Sequence, residues 1–362
     1  MTVPRTKLIQ DVDTGTDDAV ALMLAALHPD LELVGATTVN GNVPLDLTTE
    51  NTLRVFDHIG RDVPVYRGMA APLARPDFPV PRATPLPGRA TVHGDYLDIP
   101  PASSKPRDGS AVEFLIETYR ATADEIILAA TGPLTNVATA LKLEPRLAGL
   151  IPEIIVMGGA HDHGNITPSA EFNVWADPEA ARVVFGCGVR QLTIVPLDAT
   201  HQALVSLADC DALDALGTPA ATATATFVRR RIAGYDREQP MSRPGAAPVH
   251  DALCVAAIAD RSLITTRRVH VDVETSGELT TGQTIFDVAS RGGRAPNADV
   301  AFGADERAFV RTLLDVFARL PGADRKMRTP TPDQYPAGSF QGSPGSLAAR
   351  RASYRLDGPR LT

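Results

Sequence analysis

The chain has 362 residues, 44% hydrophobic and 22% charged, an ordinary globular composition with enough apolar material for a large core. Its formal charge of −8 argues against nucleic acid or an anionic membrane as a partner, and no run approaches the ~18 apolar residues of a membrane span. Three widely spaced cysteines (Cys187, Cys210, Cys254) form no metal-ligand pattern and read as reduced thiols, and the N-terminus has no signal-peptide apolar stretch, so the expectation is a cytoplasmic protein.

Lys7–Asp13 reads as a strand, on which period-two alternation puts Asp11 and Asp13 on one face. It runs into D-V-D-T-G-T-D-D (Asp11–Asp18): four carboxylates in eight residues, with Gly15 for a sharp turn and Thr16 to cap the next helix. Asp17 and Asp18 fall in that helix's first turn, where the helix dipole tolerates negative charge. Acids this crowded repel one another without a cation, and converging carboxylate oxygens suit a hard divalent ion such as Ca²⁺ or Mg²⁺. The helix continues to His28 with apolar residues on nearly every side and stops at Pro29. Leu31–Val39 is a β-branched strand closed by the N-G-N turn at Asn40–Asn42. A helix over 44–59 and a short strand over 63–66 complete β-α-β-α-β, the signature of a parallel sheet. Residues 69–105, dense in proline and carrying His93-Gly94-Asp95, form a loop long enough to suggest function.

The alternation then resumes. A helix at Ser110–Arg120 precedes a strand at Glu125–Ala130, which ends in Thr131-Gly132-Pro133 where another helix begins. Glu153–Met157 is a strand running into Gly158-Gly159, His161–Ala176 is polar and irregular, Pro178–Phe185 is a helix and Gln191–Pro196 a strand. Several strands thus end in polar, Gly-rich loops, and open parallel sheets bind ligands outside the carboxyl ends of their strands. Two helices are expected over 209–235, with Arg229-Arg230-Arg231 as a solvated face, then a loop over 234–247. His250-Asp251 opens an apolar helix, Ala252–Ala259. Val269–Glu274 and Glu278–Val288, with Gly277 between them, suggest an antiparallel edge hairpin, and 305–320 a closing helix. The expected architecture is a single open, mostly parallel α/β sheet, doubly wound and Rossmann-like, flanked by helices over residues 1–321. The remaining 322–362 is rich in Pro, Gly, Ser and Arg, with seven Lys/Arg against three Asp/Glu. It has too little apolar surface to order itself and is expected to be mobile or docked on the body.

Taken together, the rim motifs resemble the nucleoside hydrolase family, enzymes that cleave the N-glycosidic bond of ribonucleosides. The matching residues are Asp11–Asp18 (DVDTGTDD), Asn42, His93-Gly94, Thr131–Asn136 (TGPLTN), Val156–Ala160 (VMGGA), Glu171–Asn173 (EFN) and His250-Asp251. The resemblance implies Ca²⁺ held by Asp13, by both oxygens of Asp18, by the Thr131 carbonyl and by Asp251. It implies that Asp13 is the general base for a water nucleophile, with Asn42 supporting the water or the sugar. Asp17 and Asn173 would meet the ribose 2′- and 3′-hydroxyls, and Asn165 and Glu171 the 5′-hydroxyl. His250 would protonate the leaving base, and His93 would approach the base or its proton relay. A histidine at position 250 resembles the branch that accepts inosine and uridine, and the family suggests homo-dimers or tetramers. Met157 and Phe172, within these motifs, are expected to line the pocket and Tyr235 to stack on the base, while Asn136 and Trp175 are expected to brace and pack.

The chemistry is coherent in its own terms. Cleaving the ribosyl C1′–N bond passes through a cationic sugar that carboxylates stabilise. The leaving base needs a proton, and His changes charge nearest neutral pH. Two other functions share part of this pattern. A haloacid-dehalogenase-type Mg²⁺ phosphatase shares a D-x-D-x-T opening, but it leaves Asp17-Asp18 without a task and needs a downstream lysine and paired acids that are not evident. A non-catalytic, calcium-stabilised ribose-binding protein would have no use for a base, Asp13, opposite an acid, His250.

Overall fold

The computed structural model describes residues 4–78 and 92–319. The apolar run after Thr6 builds Thr6–Val12 (β1), which is buried from Leu8 onward. Leu31–Thr38 (β2) pairs parallel with it on one side, and Val65–Arg67 (β3) lies beyond. On the other side come Ile126–Ala130 (β4), Glu153–Met157 (β5) and Gln191–Val195 (β6), all parallel. Leu204–Ser206 (β7) and Ala246–Pro248 (β8) form a separate antiparallel pair. Ile264–Val273 (β9), Thr284–Asp287 (β10) and Ala298–Ala304 (β11) complete a nine-stranded sheet of order β10-β9-β11-β6-β5-β4-β1-β2-β3. Only β9 runs against the rest, antiparallel to both of its neighbours.

The helices are Thr16–Leu27 (α1), Leu45–His58 (α2), Ala111–Ala121 (α3), Thr135–Leu143 (α4), Leu147–Leu150 (α5) and Phe172–Ala176 (α6). They continue with Pro178–Phe185 (α7), Leu197–Thr200 (α8), Leu207–Ala215 (α9), Pro219–Glu238 (α10), His250–Ala259 (α11) and Glu306–Phe317 (α12). All of α1 except Ala26 is buried, packed on α10 and α11, as its all-round apolar sequence requires. Leu22, Met23 and Leu24 are wholly buried there, each contributing about 1.5–3 kcal/mol of transfer free energy. Ser110 caps α3 through a capping box with Glu113, the two residues exchanging bonds of 3.2 and 3.0 Å. The strand order reverses between β1 and β4, and the crevice outside their carboxyl ends is where this topology binds ligands.

The expected open, mostly parallel sheet with helices around it is the one observed, with several local corrections. β11 was not anticipated: Ala-Asp-Val-Ala-Phe-Gly-Ala is a poor strand former, and pairing with β6 and β9 on its two sides imposes the conformation. The edge hairpin exists, but β9 starts earlier, at Ile264, and β10 is only four residues long. The expected loop over 234–247 is partly the end of α10 and partly β8, and the irregular segment before 176 contains α6. Gly15, not Thr16, occupies the N-cap of α1, with φ of −101°, an ordinary extended value. Its glycine is needed for space rather than for a turn, since a Cβ there would lie 2.1 Å from His93 Nδ1. The cysteines are free thiols, with Cys210 and Cys254 buried. Among the described residues no helix is long and apolar enough to cross a membrane. The expected boundary at 321, the segment 322–362 and residues 79–91 of the long loop lie outside the described residues.

Candidate active site

A cavity opens at the β1/β4 reversal, lined by Asp13, Asp17, Asn42, His93, Thr131, Met157, Asn165, Glu171, Phe172, Asn173, Tyr235, His250 and Asp251. Of the expected site residues only Asp18 is missing from this wall, and it sits directly behind it. Sheet loops build one end of the cavity: the turn after β1, the N-G-N turn after β2, Thr131 after β4, and the 158–173 loop after β5. The rest of the wall is a face of α10, with Gly234, Tyr235, Glu238 and Gln239, together with His250 at the start of α11.

Asp11 and Asp13, expected on one face, have separate fates. β1 ends at Val12, so the alternation does not reach Asp13, which turns into the cavity. Asp11 stays in the sheet opposite Thr37, and accepts from Thr37 Oγ1 at 2.6 Å and Asn136 Nδ2 at 2.7 Å. Burial pushes its pKa up to about 7, against the lowering effect of those two bonds. It braces the floor rather than serving the cavity. Asn136 completes that brace, donating to the Thr38 carbonyl and accepting from Met69 N.

The remaining acids are crowded and buried. Ligand atoms of Asp17, Asp18 and Asp251 lie within 4.8 Å of one another. Asp13 Oδ2 accepts from Asn42 N at 2.6 Å, and Asn42 Nδ2 reaches Asp18 Oδ2 at 3.3 Å, so the contacts of Asn42 go to the acids. Gly41 permits this, because a Cβ there would lie 2.0 Å from Asp13 Oδ2. Asp18 also accepts from Gly15 N and from Thr131 Oγ1, at 3.0 and 3.1 Å. Burial first, then the charge of Asp17, raises the Asp18 pKa to about 7. Burial, followed by Asp17, Asp18 and Asp13, holds Asp251 well above the carboxylate range. Buried carboxylates that resist ionisation together, each offering an oxygen ligand, fit a hard divalent cation.

The 158–173 loop is held by its own polar groups. Glu171 caps α6, accepting from Asn173 N at 2.9 Å and Val174 N at 3.2 Å, and it also receives Gly159 N at 2.9 Å. Asn173 Nδ2 donates to the carbonyls of Thr131, at 2.7 Å, and Met157, at 3.2 Å. Asn165 Oδ1 accepts from Phe172 N. Phe172 packs edge-on to Phe78 and beside Trp175, so it both lines the cavity and anchors the loop.

At the opposite end, Tyr235 does not simply present a ring. Its hydroxyl lies 2.7 Å from His250 Nε2, and His250 Nδ1 lies 2.7 Å from Thr200 Oγ1. Burial, then the Arg231 charge and the rings of His201 and His93, lowers the His250 pKa well below its ordinary value, so the imidazole is neutral. Burial pushes the Tyr235 phenol up to about 12, so it keeps its proton. His93 Nδ1 accepts from Thr16 N at 3.3 Å and stands 3.7 Å from Asp17 Oδ1.

Arg231 is the largest departure from expectation. Arg229 is at the surface, paired with Asp211 and Asp214, and Arg230 reaches Asp98. Arg231 is 1% exposed and reaches the cavity wall. Its Nη1 is 3.0 Å from Asp17 Oδ1 and 3.2 Å from Thr16 Oγ1, and its Nε donates to the Pro248 carbonyl at 2.9 Å. Burial opposes the guanidinium charge, but Asp17, Tyr235, Asp251 and Asp18 together hold its pKa above the usual value. A run of three arginines looks solvated. The only signal against that was the 3.6-residue period, which places position 231 on the same helix face as the buried Phe227 and Tyr235.

Residues 8–311 match the family model described as inosine-uridine preferring nucleoside hydrolase. The pyrimidine-specific ribonucleoside hydrolase RihA of a Shewanella species is 38% identical over 312 residues, 86% of this chain and 96% of that protein. Its Salmonella schwarzengrund counterpart is 37% identical over 309 residues, 85% and 97% of the two chains. Among solved structures, the purine-preferring ribonucleoside hydrolase of Gardnerella vaginalis superposes with a TM-score of 0.79 at 33% identity, covering 87% of this chain and 99% of that one.

Proposed function

The chain belongs to the inosine-uridine preferring nucleoside hydrolase family and hydrolyses ribonucleosides, and from that premise we propose how its cavity divides the work. The sugar lies among the sheet loops, the base lies against α10, and the products are ribose and free base. The observation that carries this reading is one cavity lined both by buried acids and amides and by the Tyr235–His250 pair.

Asp13, Asp18, Asp251 and the Thr131 carbonyl would hold Ca²⁺, whose contribution when bound is positive charge that orients a water and favours loss of its proton. Asp13 accepts that proton as the water oxygen bonds to C1′. The Asp17 carboxylate and Asn173 Oδ1 accept from the ribose 2′- and 3′-hydroxyls, and Asn165 and Glu171 face the 5′-hydroxyl. The acids also stabilise the cationic sugar that forms as the C1′–N bond breaks. The departing base takes the electron pair of that bond and a proton from the Tyr235 hydroxyl. A neutral His250, with its N–H on the phenol oxygen, stabilises the phenolate left behind. His93, beside Asp17, closes the sugar end.

The test is a panel of uridine, cytidine, inosine and adenosine assayed for base release, with and without a chelator. Release that the chelator abolishes and added Ca²⁺ restores supports the reading. Binding of nucleoside without release would identify a binding protein instead. Loss of phosphate from a phosphomonoester would favour a phosphatase, although no lysine lines the cavity among the described residues.

A further inference from the structure

Four carboxylates, of Asp13, Asp17, Asp18 and Asp251, crowd one end of the cavity, more negative charge than one divalent ion balances. By proximity alone Asp17 belongs to the ion: it is part of the tightest acidic trio, with Asp18 and Asp251. Yet it is the acid that Arg231 engages, Nη1 to Oδ1 at 3.0 Å, with both side chains almost wholly buried. The guanidinium, carried on α10, is held from two other segments at once: Thr16 and Asp17 on α1 and the Pro248 carbonyl on β8. A planar fork can hold that set of directions and an ammonium cannot. A buried arginine is costly unless its partners are fixed, so the pair stands as a built feature of the site.

We propose that Arg231 is a positioning residue that claims Asp17, keeps it out of the ion's shell and reserves it for a sugar hydroxyl. The inference rests on reading the cavity as an ion-dependent nucleoside site. It divides four similar acids into two kinds by a single cation: three left to the ion and its water, and one turned to the substrate. Ribose recognition is thereby separated from ion binding, although the groups involved are neighbours.

The test combines Ca²⁺ titration by calorimetry with kcat and KM for uridine and 2′-deoxyuridine. Arg231→Met releases Asp17 toward the ion, so Ca²⁺ binding should tighten about tenfold, the equivalent of roughly 1.4 kcal/mol. KM for uridine should rise about tenfold with a smaller change in kcat, and the preference over 2′-deoxyuridine should shrink, as expected when binding shared by ground and transition states is lost. In Asp17→Asn/Arg231→Met the tightening should vanish, and Arg231→Lys should fall between wild type and Arg231→Met. Unchanged or weaker Ca²⁺ binding in Arg231→Met, with equal losses on both nucleosides, would reduce Arg231 to a tie between α1 and α10 and overturn the proposal. Should that variant not fold, Arg231→Lys takes its place: tightening of a few-fold supports the proposal, and none overturns it. In Asp17→Asn, calcium affinity within about threefold of wild type is expected, and any larger loss puts Asp17 in the shell and refutes the assignment. The Ca²⁺ titrations judge Arg231 even if no nucleoside is hydrolysed, so failure of the hydrolase reading stays distinguishable.

Discussion

Tyr235 and His250 share a 2.7 Å contact between the phenol oxygen and Nε2, while Thr200 stands 2.7 Å from the other ring nitrogen. Both histidine nitrogens are therefore engaged, and in the proposed mechanism it is the phenol that protonates the leaving base. Tyr235→Phe should cut kcat/KM for uridine and inosine by about 10²-fold, the usual scale of general acid catalysis. His250→Ala should do the same. A riboside with a nitrophenolate leaving group, which needs no proton, should lose only a few-fold in either variant. Equal losses on both substrate types, measured by base and nitrophenolate release, would remove the pair from leaving-group protonation.

Asp13 is expected to combine water activation with ion binding. Asp13→Asn should lower kcat by about 10³-fold, within the range assigned to a general base. Near-normal turnover would exclude it from the mechanism.

Ion binding should also be visible without catalysis. The acids repel one another in the absence of a cation, so Ca²⁺ should stabilise the fold by about 2.7 kcal/mol at a hundred times its dissociation constant. A chelator should lower Tm, and Asp251→Asn should abolish the Ca²⁺-dependent shift. An unchanged Tm across millimolar Ca²⁺, Mg²⁺ and Mn²⁺ would show that this cluster holds no ion.

Asn136 touches no substrate in this scheme, yet it ties Asp11, the Thr38 carbonyl and Met69 N together in a fully buried site. Asn136→Ala strands those partners and should cost about 3 kcal/mol in chemical denaturation. A cost near zero would mean that the floor relaxes and rebuilds its bonds.

His201 supplies a test of linkage. Burial first, then the charge of His163, lowers its pKa to about 4, against a partial rise from Asp198. Its folded value is below the unfolded one, so its contribution is fully present above about pH 6.5 and is lost as pH falls toward 4. Relative to His201→Gln, the wild type should therefore lose about 2 kcal/mol of stability between pH 7 and pH 4, after discounting for partial solvation. A constant difference across that range would show that the imidazole does not resist protonation in the fold.

Much of this was legible because the signals were local. β1 to β6 and their helices follow from apolar runs punctuated by Gly and Pro, and the acidic turn after β1 announces itself by density of charge. What escaped depended on contacts distant in sequence. β11 takes its shape from β6 and β9 rather than from its own residues. Asp11 was expected to share a face with Asp13 because the point where the strand ends, one residue before Asp13, is not written locally. Arg231 looked solvated because nothing near it in the chain foretells Asp17, which is 214 positions away. Thr200 carried no signal at all, and its role appears only once His250 is placed against it.

In the proposed reading the sheet loops receive the sugar, and a face of α10 together with His250 of α11 receives the base. On the sheet side the backbone of Gly41 rests so closely on Asp13 that one added methyl would displace it, so that wall has no slack for variation. On the α10 side, Gly234, Glu238 and Gln239 line the cavity, and Gln239 Nε2 donates to the Asn165 carbonyl at 2.8 Å. On that reading, exchanging 234–239 between relatives of different base preference should carry the preference across while leaving the acidic wall unchanged.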